Sequence, residues 1–149
     1  MEVIGLFRKI FRHSNKTRTS QYYRERIQYY IQKGDFNKAI RECEVYFNCS
    51  KNDQETLKAA VQEYYGYCFL RLGKFSRAIQ ELARVHTMKP TDHIMYLAYS
   101  NIGNAYKNMG QGQKALQNFK ESLRYATNKD DHHIVEIFIR EIQRYNEVK

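Results

Sequence analysis

The chain has 149 residues, a formal net charge of +9 and a hydrophobic share of 42%, which allows one soluble domain with a core that needs no covalent staples. One proline and seven glycines argue against a turn-rich β architecture, and no run of about 18 apolar residues offers a membrane-spanning helix. Three cysteines, Cys43, Cys49 and Cys68, make no CxxC pair and no disulfide framework, which points to a reducing compartment, with Cys43 and Cys68 as small core fillers.

The positive charge is concentrated at the start. Residues 1–33 hold eight Lys/Arg against Glu2 and Glu25, leaving a nearly neutral body. Within residues 1–12, Val3, Ile4, Leu6, Phe7, Ile10 and Phe11 fall inside about 160° of arc on a helix, with Arg8, Lys9 and Arg12 opposite. Three uses of this amphipathic helix compete. It lies on a membrane, with Phe7 and Phe11 at the headgroup boundary and Arg8, Lys9 and Arg12 on anionic lipid. It packs on the rest of the chain, over an end or in a groove. Or it is an organelle-targeting presequence, given the Arg and Ser/Thr through Ser20. A secretory signal does not fit, because Arg8 and Lys9 break the apolar stretch. Residues 1–18 are read as this helix and a linker, and 19–149 as one repeat domain.

From there the chain repeats itself. Gly34, Gly73 and Gly110 are each followed five residues later by Ala and an aliphatic: Ala39-Ile40, Ala78-Ile79 and Ala115-Leu116. The Ala positions are 39 and 37 residues apart. Before each Gly, apolar residues recur at helical spacing: Tyr23, Ile27, Tyr30 and Ile31; Val61, Tyr65, Cys68, Phe69 and Leu72; Tyr99, Ile102, Ala105, Tyr106 and Met109. After each Gly a shorter amphipathic pattern follows. Each unit therefore reads as helix, glycine-ended turn, helix, over about 20–51, 54–90 and 92–127. Asn52 or Asp53, and Thr91 or Asp92, are the expected caps of the second and third units. A last helix over about 131–147 is expected, capped by Asp130 or Asp131. Its apolar stripe is Ile134, Ile137, Phe138, Ile142 and Tyr145, and it covers the end of the array.

These residues resemble the tetratricopeptide-repeat family. The third unit carries Tyr99, Ile102-Gly103, Tyr106, Ala115 and Phe119; the second carries Tyr65-Gly66, Phe69, Ala78, Leu82 and Pro90. The first departs from the pattern, with Ile27 in place of Gly and Cys43 in place of Phe. The longer period is similar to that of kinesin light chain and of bacterial peptide-sensing regulators. The resemblance implies an all-α fold: a right-handed α-α superhelix of three helical hairpins, flanked by the N-terminal amphipathic helix and a C-terminal capping helix. It implies that Gly103 faces Ala115 and Gly66 faces Ala78 where paired helices cross, and that Ile27 widens the first hairpin. It also implies a concave face lined by the first helix of each unit. Carried over, its binding positions fall on Arg24, Glu25 and Gln28, on Glu63, Tyr64 and Tyr67, and on Leu97, Ser100, Asn101 and Asn104. Asn101 stands where the family often hydrogen-bonds a peptide backbone. The branch that clamps acidic chaperone tails needs paired basic residues where this chain has Leu97 and Asn101, and Asn where it has Tyr64, so that clamp is not expected.

No catalytic or metal motif accompanies the repeats. The glycines are isolated, and adjacent His132 and His133 point about 100° apart on a helix, so they do not share a metal. Tyr22, Arg24, Arg26 and Tyr29 with Tyr23 and Tyr30 make a basic aromatic patch, but the repeat core claims Tyr23 and Tyr30, which weakens a nucleic-acid reading. The expectation is a non-enzymatic, cofactor-free adaptor in the cytoplasm that binds a protein or peptide. The alternative is a peripheral membrane scaffold held by the first helix.

Overall fold

A computed structural model describes residues 20–50 and 52–147, with side chains through residue 144. The readings placed on Phe7, Arg8, Lys9, Phe11 and Arg12 lie outside the described residues. Among the described residues, seven α-helices follow one another: α1 Ser20–Gln32, α2 Phe36–Cys49, α3 Glu55–Arg71, α4 Phe75–Val85, α5 Asp92–Asn108, α6 Gly112–Leu123 and α7 Lys129–Glu147.

The glycine signal in the sequence has a backbone cause. Gly34, Gly73 and Gly110 sit at φ of 72°, 72° and 71°, the left-handed conformation that ends a helix and that side chains with a Cβ adopt at a cost. At each, the residue after the glycine donates its N–H back into the finished helix, as Lys74 does to Phe69 and Gln111 to Tyr106 at 2.9 Å. Helix starts are less uniform. Thr91 caps α5, its hydroxyl accepting from the Ile94 N–H. Gln54, not Asn52 or Asp53, stands at the start of α3 and makes no side-chain cap. Asn128 rather than Asp130 or Asp131 caps α7: it accepts from the Asp131 N–H at 2.8 Å and returns a hydrogen bond to the Asp131 carboxylate. Both aspartates lie inside the first turn, where their charge suits the helix dipole.

Helices pair as α1–α2, α3–α4 and α5–α6, and each hairpin packs on the next. The inner helices touch in a row, α1 to α3 to α5, while the outer helices α2, α4 and α6 make no comparable contact with one another. Each outer helix packs on the inner helix of the next hairpin, and the added contact between inner helices, which the outer ones lack, bends the stack into a superhelix whose inner surface is built from α1, α3 and α5. α7 packs on α6 and extends the inner row. Lys107 of α5 pairs with Glu141 at 2.6 Å, and the Tyr96 hydroxyl reaches the Asp131 carbonyl.

The hairpins close through complementary volumes. A Cβ added to Gly103 would stand 2.8 Å from the Phe119 ring, and one added to Gly66 would stand 2.5 Å from Leu82. The tight neighbour of each glycine is thus the large side chain one turn beyond the expected alanine. In the first hairpin the equivalent positions are Ile27 and Cys43, both fully buried in one cluster. Bulk has moved from the second helix to the first, so Ile27 is accommodated by a small partner.

Two further expectations change. Tyr96 is buried and Tyr99 only half-buried, stacked between His86 and Tyr125 with ring centroids 4.3 and 5.7 Å away. On α7 the buried residues are Val135 and Ile142, flanked by Phe138 and Ile139, while Ile134 and Ile137 are 46% and 41% exposed. The covering face is therefore rotated from the one the apolar stripe implied. No described helix is long and apolar enough to cross a membrane.

Candidate binding groove

The expected groove residues lie on the inner helices, and two pairs of them bond from one inner helix to the next. Gln28 of α1 donates to the Tyr64 hydroxyl of α3 at 2.7 Å. Asn101 of α5 donates its side-chain N–H to the Glu63 carboxylate of α3 at 2.8 Å. These two bonds join α1 to α3 and α3 to α5, so the candidate surface is tied along its length. Tyr67 accepts from Arg71 at 2.7 Å and packs edge-on to Phe36. Leu97 is half-buried against the second core cluster, and Asn104 is half-buried with its backbone carbonyl taking the Asn108 amide.

Not every one of these residues is open to a guest. Ser100 is buried, and Glu63 is only 4% exposed. Burial pushes the Glu63 carboxyl up to about 7, with the Asn101 hydrogen bond opposing the shift. Asn101 has one N–H engaged by Glu63, which fixes its amide orientation. Its carbonyl oxygen and second N–H remain for another partner. Arg24 is half-buried, with its Nε shielded and unpartnered. Glu25 accepts from Gln21, one turn back on its own helix.

The sequence reading missed the contribution of α7. Ile134 and Ile137 lie within about 40° of Glu141 around that helix, and Glu141 is tied to α5. The two exposed isoleucines therefore stand on the side of α7 next to the inner row. The spacing 134, 137, 141 carried this signal, but it was absorbed into a covering stripe.

Most of the basic patch is engaged inside the fold, while Tyr29 is 39% exposed. Tyr23 is buried, and Arg26 donates to the hydroxyls of Tyr22 and Tyr30 while pairing with Glu42 at 2.6 Å. No group of three His, Cys, Asp or Glu among the described residues is placed to hold a metal ion.

Residues 96–129, covering most of α5 and all of α6, match the sequence model of the tetratricopeptide repeat. The TPR2AB-domain:pHSP90 complex of yeast Sti1 superposes with a TM-score of 0.70 at 15% identity, over 85% of this chain and 48% of that one. One segment, residues 96–129, matches a tetratricopeptide repeat, and the fold around it is similar to that of the Sti1 domain. The chain spans about half the length of the Sti1 chain, and at that identity the likeness is one of fold. Two MamA structures, the 41-end fragment from Desulfovibrio magneticus RS-1 and an RS-1 ArsTM double mutant, reach a TM-score of 0.41 at 15% and 16% identity. They cover 87% of this chain and 96% and 97% of theirs, and that score adds nothing to the assignment. No curated protein matches the chain by sequence. In this fold the inner surface is the side built from the first helices of the hairpins, which touch one another.

Proposed function

We propose that the concave face of α1, α3 and α5 docks an extended or helical segment of a partner protein, and that the chain works as an adaptor. The observation that carries this reading is the pairing of groove residues across inner helices, Gln28 with Tyr64 and Asn101 with Glu63. Hydrogen bonds between neighbouring helices hold the surface in one shape before a guest arrives. Binding then costs less ordering entropy. The half-buried Tyr64, Tyr67 and Leu97 offer apolar area, and Asn101 and Asn104 offer amide groups that both donate and accept. The Sti1 domain of similar fold was solved as a complex with pHSP90, which supports a polypeptide guest in kind.

The test uses the full chain as bait and then takes the captured partner as purified ligand. A variant combining Tyr64→Ala and Asn101→Ala should bind it at least tenfold more weakly, a loss of about 1.4 kcal/mol, while keeping its helical circular dichroism. Undiminished affinity in the folded double variant would remove the groove from the binding surface.

A further inference from the structure

Two acidic side chains are buried among the described residues, and they are treated differently. Glu81, fully buried on α4, pairs with Arg77 at 2.7 Å and Arg84 at 3.2 Å, and takes a hydrogen bond from Gln62 at 2.9 Å. Two cations neutralise that carboxylate and the amide bonds its Oε2, while Oε1 has the Arg77 ion pair but no hydrogen bond. Glu63 receives one neutral donor, the Asn101 amide, on one of its oxygens. No described cation pairs with it. Its repeat-equivalent on the preceding inner helix is Arg24, at the same place relative to Ile27 as Glu63 is to Gly66, and Arg24 makes no ion pair with it. The other ionisable groups near Glu63 are the buried thiols of Cys43 on α2 and Cys68 on α3 itself, neither of which supplies positive charge. From α5 the group that faces it is Asn101.

We propose that Glu63 is the seat for a lysine or arginine side chain of the docked segment, which donates to the carboxylate oxygen that Asn101 leaves free. This rests on the groove reading above and names the chemistry of the guest. Entry of an ammonium or guanidinium group gives Glu63 what Glu81 has from its own helix. Asn101 engages one carboxylate oxygen at 2.8 Å and leaves the other without a described donor. Occupation favours the ionised form, and because burial otherwise raises the carboxyl to about 7, the guest should bind more tightly as pH rises through that value. A cation binding to a chain of net charge +9 runs against the overall field, so selective uptake at Glu63 reports the local site.

The probe is N-acetyl-lysine methylamide, compared with N-acetyl-norleucine methylamide, which has the same aliphatic chain without the ammonium. Each is titrated into the isotope-labelled full chain at millimolar concentration and about pH 8, above the Glu63 titration. The lysine compound should shift the Glu63 carboxyl carbon and the Asn101 side-chain amide saturably. The norleucine compound should bind at least about tenfold more weakly, and Glu63→Gln should abolish the difference. Lysine and norleucine compounds acting alike on the wild-type chain, or an undiminished lysine effect in Glu63→Gln, would overturn the proposal. The comparison of the two compounds on the wild-type chain stands even if the variant fails to fold. Should the Tyr64 and Asn101 double variant still lose its partner, only the identity of the guest's charge would be wrong, not the groove.

Discussion

Replacing Glu63 with Gln removes a charge from a site that is 4% exposed, and the sign of the result depends on pH. In the folded chain the carboxyl titrates at about 7, raised from the usual 4.5 by burial. The folded state therefore holds a proton on Glu63 that the unfolded chain gives up. The favourable contribution is complete below about pH 4.5 and is lost as pH climbs through about 7. A rise of that size corresponds to about 3 kcal/mol between the two limits, at roughly 1.4 kcal/mol per unit. Gln keeps the shape and an oxygen that accepts from Asn101, and it never ionises. Glu63→Gln should change stability little near pH 4.5, and should stabilise the chain by about 2–3 kcal/mol near pH 8. Urea-unfolding midpoints of both proteins across this range give the difference directly, because every other titrating group cancels in the subtraction. A flat difference between the two curves, or a Gln variant weaker than wild type near pH 8, would refute the claim that a charged Glu63 is inadequately compensated.

The hairpin contacts give a second set of expectations. Gly103→Ala should destabilise by about 1–3 kcal/mol, since its Cβ meets the Phe119 ring, whereas Gly66 to Leu82 is the tighter approach and Gly66→Ala should cost at least as much. If volumes are traded as they are in the first repeat, the double variant Gly103→Ile with Phe119→Cys should recover much of the loss caused by Gly103→Ile alone, measured by a double-mutant cycle. Gly73→Ala meets nothing within 4 Å, so its cost, about 1 kcal/mol, should come from the positive φ alone. Thr91→Ala should cost about 1 kcal/mol through loss of the α5 cap, seen as a lower thermal midpoint.

Much of this architecture was legible because its signals are local. A glycine that must take positive φ, followed at fixed distance by a small residue, marks a helix end and a close helix crossing wherever it occurs. Three copies in register make the reading specific. Cap identity was less legible. Asn52, Asp53, Gln54 and the pair Asp130 and Asp131 compete over one or two positions, and the winner depends on where tertiary packing starts the helix. The face of α7 was misread for a related reason: Ile134, Val135, Phe138 and Ile139 are all apolar, and only the neighbouring helices decide which pair is covered. In the groove, the sequence placed Glu63, Asn101, Gln28 and Tyr64 on the inner helices through the family pattern. It could not show that they bond to each other, because those pairs are separated by 36 and 38 residues.

The added contact between inner helices has a mechanical consequence. A row of units drawn closer along one rim than along the other behaves like a folding fan, with the closer rim inside the bend. Here the rim is fastened by two side-chain stitches, one between the first and second units and one between the second and third. Loosening either stitch should let neighbouring units shift along that rim, so changes at these four side chains should bear on the pitch of the coil.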